Sequence, residues 1–355
     1  MSEIVFILGA GASKDAGAPL MAEFLDKAEE IRKQKDLGDS KADFDLVFDA
    51  ISAMQVIHSK SDVDLDNIES VFATFEMARL LGRLPGSPTA KVESLTVSMR
   101  RLISKTLERT VTFPVSGKKI NPPAYYRHFA ELIGKLNEGG RRRCSIITFN
   151  YDIALDYALH SINIPPDYCL SKESGITPLM KLHGSLNWAG CSKCNEVVPW
   201  TIHEFFIKFQ FPFLMDAKEV RLDFASELRS SGLIHCGVNV VGEPVIIPPT
   251  WNKTEYHQIL EKVWRRAAKE LSEAENIFVL GYSLPESDLF FRYLFALGCA
   301  GPMRIKRFWV FNPDETVKDR FGRLLGTGVK DRFRFEPTPF NKALAILNNV
   351  LLSKG

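Results

Sequence analysis

A charge imbalance is missing from this chain of 355 residues, which carries 45 Lys and Arg against 43 Asp and Glu, a formal net charge of +2. That balance predicts no polyanionic partner and no direct nucleic-acid binding, although it says nothing about local basic patches. Cysteine is sparse at six residues, too few for a disulfide scaffold, so reduced thiols are expected. Long apolar runs are missing too. The longest charge-free stretches, such as Ile4 to Ser13, reach roughly ten residues and fall short of a membrane span. The N-terminus has Glu3 and no basic segment, which predicts no signal peptide and a cytoplasmic protein. There is no repeat of solenoid length and no low-complexity tract. Hydrophobic residues at 45% and charged residues at 25% argue against disorder. The length suits one large domain with insertions, or two modest ones.

What is present reads as alternating strands and helices. Ile4-Val5-Phe6-Ile7-Leu8 is a short β-rich apolar run stopped by glycine, which predicts a buried parallel strand. Gly9-Ala10-Gly11-Ala12-Ser13 follows, with helix-compatible sequence after Pro19. From Met21 to Gly140 the apolar spacing is helical, interrupted by Pro85-Gly86-Ser87-Pro88 and closed, after a helix from Tyr125 to Leu136, by Gly139-Gly140. Strand signal returns at Cys144–Phe149 and at Pro178–Leu182, with a helix from Asp152 to Ser161 between them. Residues 185–243 read as irregular and aromatic, with Cys191 and Cys194 near their start. Three more strands are predicted, at Pro244–Ile247, Asn276–Leu280 and Arg307–Phe311. Helices are predicted between them, from Glu255 to Ala274 and from Asp288 to Leu297. Alternation of this kind predicts an α/β protein whose parallel sheet is covered by helices.

Five strand ends carry small or polar residues. Gly9-x-Gly11 after a strand is the geometry of a pyrophosphate loop, in which backbone amides and a helix N-terminus face the anion. The dinucleotide and P-loop fingerprints are both incomplete here, with Lys14 where a third glycine would fall, and a plain tight turn is the alternative. Thr148-Phe149-Asn150-Tyr151-Asp152 supplies a carboxamide and a carboxylate two residues apart; a turn former and a helix cap would read the same. His183, next to Gly184, is placed for proton transfer near neutral pH. Gly281-Tyr282-Ser283 and Asn312-Pro313-Asp314 complete the set. Each alone reads as a loop. Together they predict one nucleotide crevice at the carboxyl ends of the strands.

In this order the motifs resemble the sirtuin-like family. Gly9–Ser13 with Ala16-Gly17-Ala18-Pro19 looks like its cofactor loop, Thr148–Asp152 like its Thr-x-Asn-x-Asp, and His183-Gly184 like its catalytic His-Gly. Gly281-Tyr282-Ser283 looks like its later Gly-x-Ser strand end, and Asn312 falls where the family uses an Asn near the adenosine. Asn-Tyr-Asp, Leu-His-Gly-Ser and Pro248-Pro249-Thr250 resemble a divergent bacterial branch found in anti-phage defence. The resemblance implies a single Rossmann-like domain over residues 1–355. It also implies a helical insertion at 21–140 and a small degenerate ribbon-like module at 185–243.

It further implies NAD as substrate and hydrolysis of the nicotinamide–ribose bond. Asn150 would order the water or a ribose hydroxyl, His183 would be the base on that water or on a ribose hydroxyl, and Asp152 would lend negative charge nearby or fix the nicotinamide-side geometry. Gly9, Ala10, Gly11 and Ser13 would hold the diphosphate; Gly281, Ser283 and Asn312 would hold the adenosine side. Homo-oligomers, and a partner ATPase of translocase type or an Argonaute-like protein, are implied in the same way. Two departures matter. Deacylases continue the loop with Asp-Phe-Arg, and here Leu20-Met21 follows Pro19. They also carry two Cys-x-x-Cys pairs, and here Cys191/Cys194 is joined only by Cys236 beside His235. Three cysteines and a histidine can bind zinc. Because neighbouring residues rarely both reach one metal, a metal-free ribbon is expected. Three functions compete: an NAD hydrolase, a sirtuin-type deacylase, and a non-catalytic NAD or ADP-ribose sensor or scaffold. The aromatic stretch Phe205–Phe213 reads as an oligomer interface or as core.

Overall fold

The computed structural model describes residues 3–55, 63–86, 89–138, 143–171, 177–209, 211, 217–248, 259–300 and 303–352. A strand with no polar face has to be covered on both sides, and Ile4–Leu8 (β1) is buried at every residue in the middle of a sheet. Around it lie Cys144–Thr148 (β2), Pro166–Asp167 (β3), Thr177–Lys181 (β4), Asn276–Leu280 (β5), Arg307–Phe311 (β6) and Phe333–Glu336 (β7). The order is β7-β6-β5-β1-β2-β4-β3, and every pairing is parallel. Leu8 lies level with Thr148 on one side and Leu280 on the other, so the strands end together.

Period-two alternation sorts the aromatic residues onto two faces. Phe6 and Phe278 stack on one face, where Phe6 meets Phe129 of the helix Ala124–Asn137 and Phe129 meets Phe340 of the helix Phe340–Leu352. On the other face Phe308 meets Phe295 of the helix Leu289–Gly298 and Phe321 of the helix Thr316–Leu324. The protein is therefore α/β with a helix-covered, Rossmann-like parallel sheet, as the alternation predicted.

Several elements differ from the sequence reading. Pro244–Ile246 is not in this sheet; it pairs antiparallel with Gly184–Gly190, which pairs in turn with Val197–Pro199. Residues 185–243 are thus not irregular, and they also hold the helix Ile202–Lys208, opened by a Thr201/Glu204 capping box. Strand β3, a Pro-Asp pair, carries no apolar pattern, and β7 was missed although Phe333-Arg334-Phe335-Glu336 alternates with period two. The segment 21–140 is not helical throughout: Phe113–Ser116 and Lys119–Ile120 form a hairpin, and Glu219–Val220 adds a third strand to it. Segments 21–140 and 185–243 therefore share a sheet, and Arg101 bridges them by three bonds from Nε and Nη2 to the Glu243 carboxylate at 2.5–3.2 Å. Buried apolar side chains from sheet, insertion and module form one continuous cluster. Phe205 is buried in it, stacked on Phe224 at 3.9 Å, so this part of the aromatic stretch is core. Gln210, residues 212–213, Ser87-Pro88, Gly139-Gly140, Pro249-Thr250 and the start of the helix predicted from Glu255 lie outside the described residues.

Candidate functional site at the carboxyl edge of the sheet

Because adjacent strands are parallel and end level, the residues following them share one edge. In spatial order these are Asn312 after β6, Gly281 after β5, Gly9 after β1, Asn150 after β2 and His183 after β4. The chain runs one way from β1 and the other way from β5, which makes the gap between their loops the topological switch point, where open α/β sheets bind ligands. The structure brings all five predicted strand ends to this edge.

The loops at the switch point are in direct contact. Gly11 N–H donates to the Gly281 carbonyl at 2.9 Å, and a Cβ on Gly281, whose φ is +63°, would stand 2.6 Å from Ala12 N. A Cβ on Gly9 would meet Tyr282 Cα at 2.5 Å. These glycines are needed for loop-on-loop packing, and the Gly11 amide is spent inside the fold. The helix that opens here, Ala10–Ser13, is one turn long and passes into a 3₁₀ turn, Lys14–Ala16. That is less than the long helix N-terminus of a full dinucleotide fingerprint.

Ser13 is buried beside these loops. Its buried hydroxyl donates to Asp152 Oδ2 at 2.6 Å. With its single proton so used, Ser13 Oγ accepts from Tyr126 O–H at 2.6 Å and from Asn150 Nδ2 at 2.9 Å. Asn150 Nδ2 also donates to the Gly9 carbonyl at 2.9 Å and to Tyr126 Oη at 3.3 Å. A carbonyl can only accept, so this fixes which end of the Asn150 amide faces Gly9 and turns Oδ1 the other way. Asp152 Oδ1 accepts from Ala154 N–H at 3.0 Å, the helix-start role that the sequence also allowed, and the helix begins at Ala154. Burial pushes the Asp152 carboxyl above its ordinary range, against the pull of the Lys181 ammonium and the Ser13 hydrogen bond. Burial likewise holds the Tyr126 hydroxyl well above its usual value.

Lys181 is the residue most clearly missed by sequence reasoning. Its side chain is 1% exposed; Nζ donates to the Asp152 carbonyl at 2.6 Å and to Asp156 Oδ2 at 3.0 Å. Asp156 Oδ1 accepts from Tyr168 O–H at 2.7 Å. The available signal was a lysine set between Met180 and Leu182 in a strand buried on both faces. Tyr126 and Asp156 sit inside helical periodicity and gave no such signal.

His183 occupies a second cluster. Its ring lies edge-on to Phe149 at 5.1 Å, and Phe149 is stacked on Tyr282 at 4.1 Å. Nε2 is 3.3 Å from Asp288 Oδ1, and Tyr282 O–H donates to Asp288 Oδ2 at 2.8 Å. Gly184, at φ +84°, lets the chain turn behind the imidazole, where a Cβ would stand 2.0 Å from the Val245 carbonyl oxygen. The Phe149 ring thus links the Asn150–Asp152 strand end to the His183 cluster. Ser283 is half-buried, and its carbonyl accepts from Arg320 Nη1 at 3.2 Å. Asn312 is buried, receives Asp314 N–H at 3.0 Å on Oδ1, and donates to the Tyr282 carbonyl at 3.4 Å. A cavity of about 660 Å³ opens elsewhere, between β3 and the small module. Asp167, Tyr168, Glu196, His235 and Lys262 line it, with none of the residues singled out at the strand ends.

In the module, Cys191 Sγ, Cys194 Sγ, Cys236 Sγ and a His235 ring nitrogen lie within 4.8 Å of one another. His235 and Cys236 both reach the cluster because they open a two-residue hairpin turn. His235 pairs with Val238, and Cys236 and Gly237 take φ of +52° and +75°, the left-handed pair of a type I′ turn. The sequence objection that neighbours do not converge therefore does not hold for this turn. Hydrogen bonding from His235 leads the effects that lower the Cys191 thiol to about 6, while Cys194 leads those that push Cys236 up. Three thiols and an imidazole at these separations fit a tetrahedral zinc ion.

No protein-family model matches this chain, and no curated protein matches it at a significant level. Among solved structures, a Sir2 homologue in complex with NAD aligns over 99% of this chain and 90% of its own, with 16% identity and a TM-score of 0.42. A complex of Sir2 with a p53 peptide and NAD+ aligns over 98% and 92%, with 14% identity and a TM-score of 0.40. Likeness at this level adds no weight to a functional assignment, which rests on the geometry above.

Proposed function

We propose that this protein is a sirtuin-like NAD glycohydrolase that cleaves the bond between nicotinamide and ribose and acts in anti-phage defence by depleting NAD. One observation carries the chemistry: Asn150–Asp152 and His183 follow adjacent parallel strands, and Phe149, next to Asn150 in the chain, packs edge-on to His183 and stacks on Tyr282. Nicotinamide leaves as a neutral molecule, so the bond needs no general acid. What it needs is orientation, a field that favours the ribose cation, and a positioned nucleophile. Asn150 orders the water or a ribose hydroxyl. His183 takes the proton as the water oxygen bonds to the ribose carbon, and the N-glycosidic pair leaves with nicotinamide. Asp152 lends negative charge nearby or fixes the nicotinamide-side geometry; burial raises its carboxyl, and the Lys181 ammonium opposes that rise. The loops at Gly9–Ser13 and Gly281–Ser283, with Arg320 behind the latter, receive the diphosphate and adenosine, and Asn312 borders the adenosine.

Homo-oligomers and a partner ATPase or Argonaute-like protein belong to this proposal on the motif resemblance alone. The test is chromatography of NAD after incubation with the protein, alone and with a candidate partner. Asn150→Ala and His183→Ala should keep the parent's circular dichroism and release no nicotinamide. Turnover at the parent rate by either variant would refute the assignment.

A deacylase reading is favoured by one feature. Cys191, Cys194, His235 and Cys236 would hold a structural zinc ion, which removes the objection of an incomplete ribbon. The missing Asp-Phe-Arg after Pro19 still opposes it. Nicotinamide release that requires an acyl-lysine peptide would decide for the deacylase.

A further inference from the structure

A histidine acting as base needs its second nitrogen held, because that bond sets both the tautomer and the proton affinity. His183 has such a holder in Asp288, seven residues beyond the Gly281 loop and unmarked by any motif. Both side chains are buried, at 6% and 5% exposure, with Nε2 to Oδ1 at 3.3 Å. The other carboxylate oxygen is held by the Tyr282 hydroxyl at 2.8 Å, and the Tyr282 ring is locked against Phe149 at 4.1 Å and Phe291 at 5.5 Å. Turning the carboxylate away from the imidazole would therefore break the buried bond from Tyr282.

We propose that Asp288, clamped by Tyr282, is a positioning residue that holds His183 through Nε2–H and leaves Nδ1 as the proton-accepting nitrogen. A carboxylate can only accept, so a neutral imidazole donating to it carries its proton on Nε2 and its lone pair on Nδ1. The negative charge also stabilises the imidazolium formed when the proton arrives. Other charged or titratable groups face this pair. Glu69, from the helix Ile68–Leu81 of the insertion, acts on both Tyr151 and Tyr282, and Arg292 acts on Tyr282 in the opposite sense. The Tyr151 ring lies 6.0 Å from His183. Glu69 thus acts through charge at a distance, while Asp288 adds direct contact with Nε2 at 3.3 Å, and the two effects can be separated.

The kinetic part of this inference rests on the hydrolase reading; the imidazole part does not. The chain has only seven histidines, so ¹⁵N NMR of the full-length protein can assign His183 by its loss in His183→Gln. The parent should show the Nε2–H tautomer. Asp288→Asn should lower the His183 pKa by about one to two pH units, and Asp288→Glu should restore most of it. Glu69→Gln should lower it less and leave the tautomer unchanged. In nicotinamide release, Asp288→Asn should cost about 10²-fold in rate and move the acid limb of the pH profile down with the pKa. A purely structural residue would lower the rate and leave that limb in place. An Nδ1–H tautomer in the parent would overturn the proposal without any variant, so a misfolded Asp288→Asn does not protect it. An unmoved His183 pKa in folded Asp288→Asn would overturn it as well. A parent that releases no nicotinamide yet shows the expected tautomer and shift would instead count against the hydrolase reading.

Discussion

Replacing Lys181 with methionine probes the point where fold and site are joined. The perturbation removes one ammonium from a strand end where it is 1% exposed and keeps most of the side-chain volume. Two partners are stranded: the Asp156 carboxylate, also 1% exposed, and the Asp152 carbonyl, 2.6 Å from Nζ in the parent. Breaking one side of a buried pair costs about 3–5 kcal/mol, because the remaining charge has no compensation. Domains are stable by about 5–15 kcal/mol, so the loss should be large in urea unfolding followed by circular dichroism. Lys181→Met with Asp156→Asn removes the stranded charge while the amide oxygen still accepts from Tyr168, 2.7 Å away in the parent. The double variant should recover at least half of the loss, giving a coupling energy of about 2 kcal/mol or more. Asp152, already raised by burial, loses its main opposing charge and should protonate at higher pH in the variant. A single-variant loss below about 1 kcal/mol would show that the pair does not carry this strand end.

Two further predictions follow from groups outside the strand edge. Glu108 is buried against the segment that carries Ser226, accepting Ser226 N–H at 2.9 Å as well as its hydroxyl, and burial followed by nearby Asp223 raises its carboxyl from 4.5 to about 7. The folded state then binds a proton that the unfolded state has released, so stability falls as pH rises from 4.5 to about 7, by about 3 kcal/mol in all. Urea midpoints across that window should show the slope in the parent and lose it in Glu108→Gln. For the cysteine cluster, mass spectrometry under native conditions should find one zinc ion per chain. Chelation, or Cys194→Ser, should lower the melting temperature by several degrees with the parallel sheet retained; a metal-free protein unaffected by chelator would refute the site.

The architecture was legible where local pattern carried it. β1, β2, β5 and β6 are short β-rich runs, apolar in most residues and followed by glycine or a polar residue, and such runs suit central parallel strands. Pro244–Ile246 looked the same in sequence and joined a different sheet, because a three-residue apolar run does not encode its partner. β3 went unseen because two residues carry no pattern, whereas the alternation Phe333-Arg334-Phe335-Glu336 of β7 was legible and was passed over. The hairpin at Phe113–Ile120 was hidden inside helical spacing, and its two-residue turn at Gly117-Lys118 is the local feature that marks it.

The chain by itself determined which residues stand at strand ends, because a strand stopped by glycine followed by polar groups is written in contiguous residues. Only the tertiary structure decided what those residues touch. Ser13 meets Asp152 across 139 positions, Lys181 reaches back to Asp156, His183 finds Asp288, and the two halves of a metal-binding set close across the turn at Cys236. The first three pairings depend on strand order and level strand ends, which are set by burial summed over the whole sheet. Local periodicity holds no record of that sum.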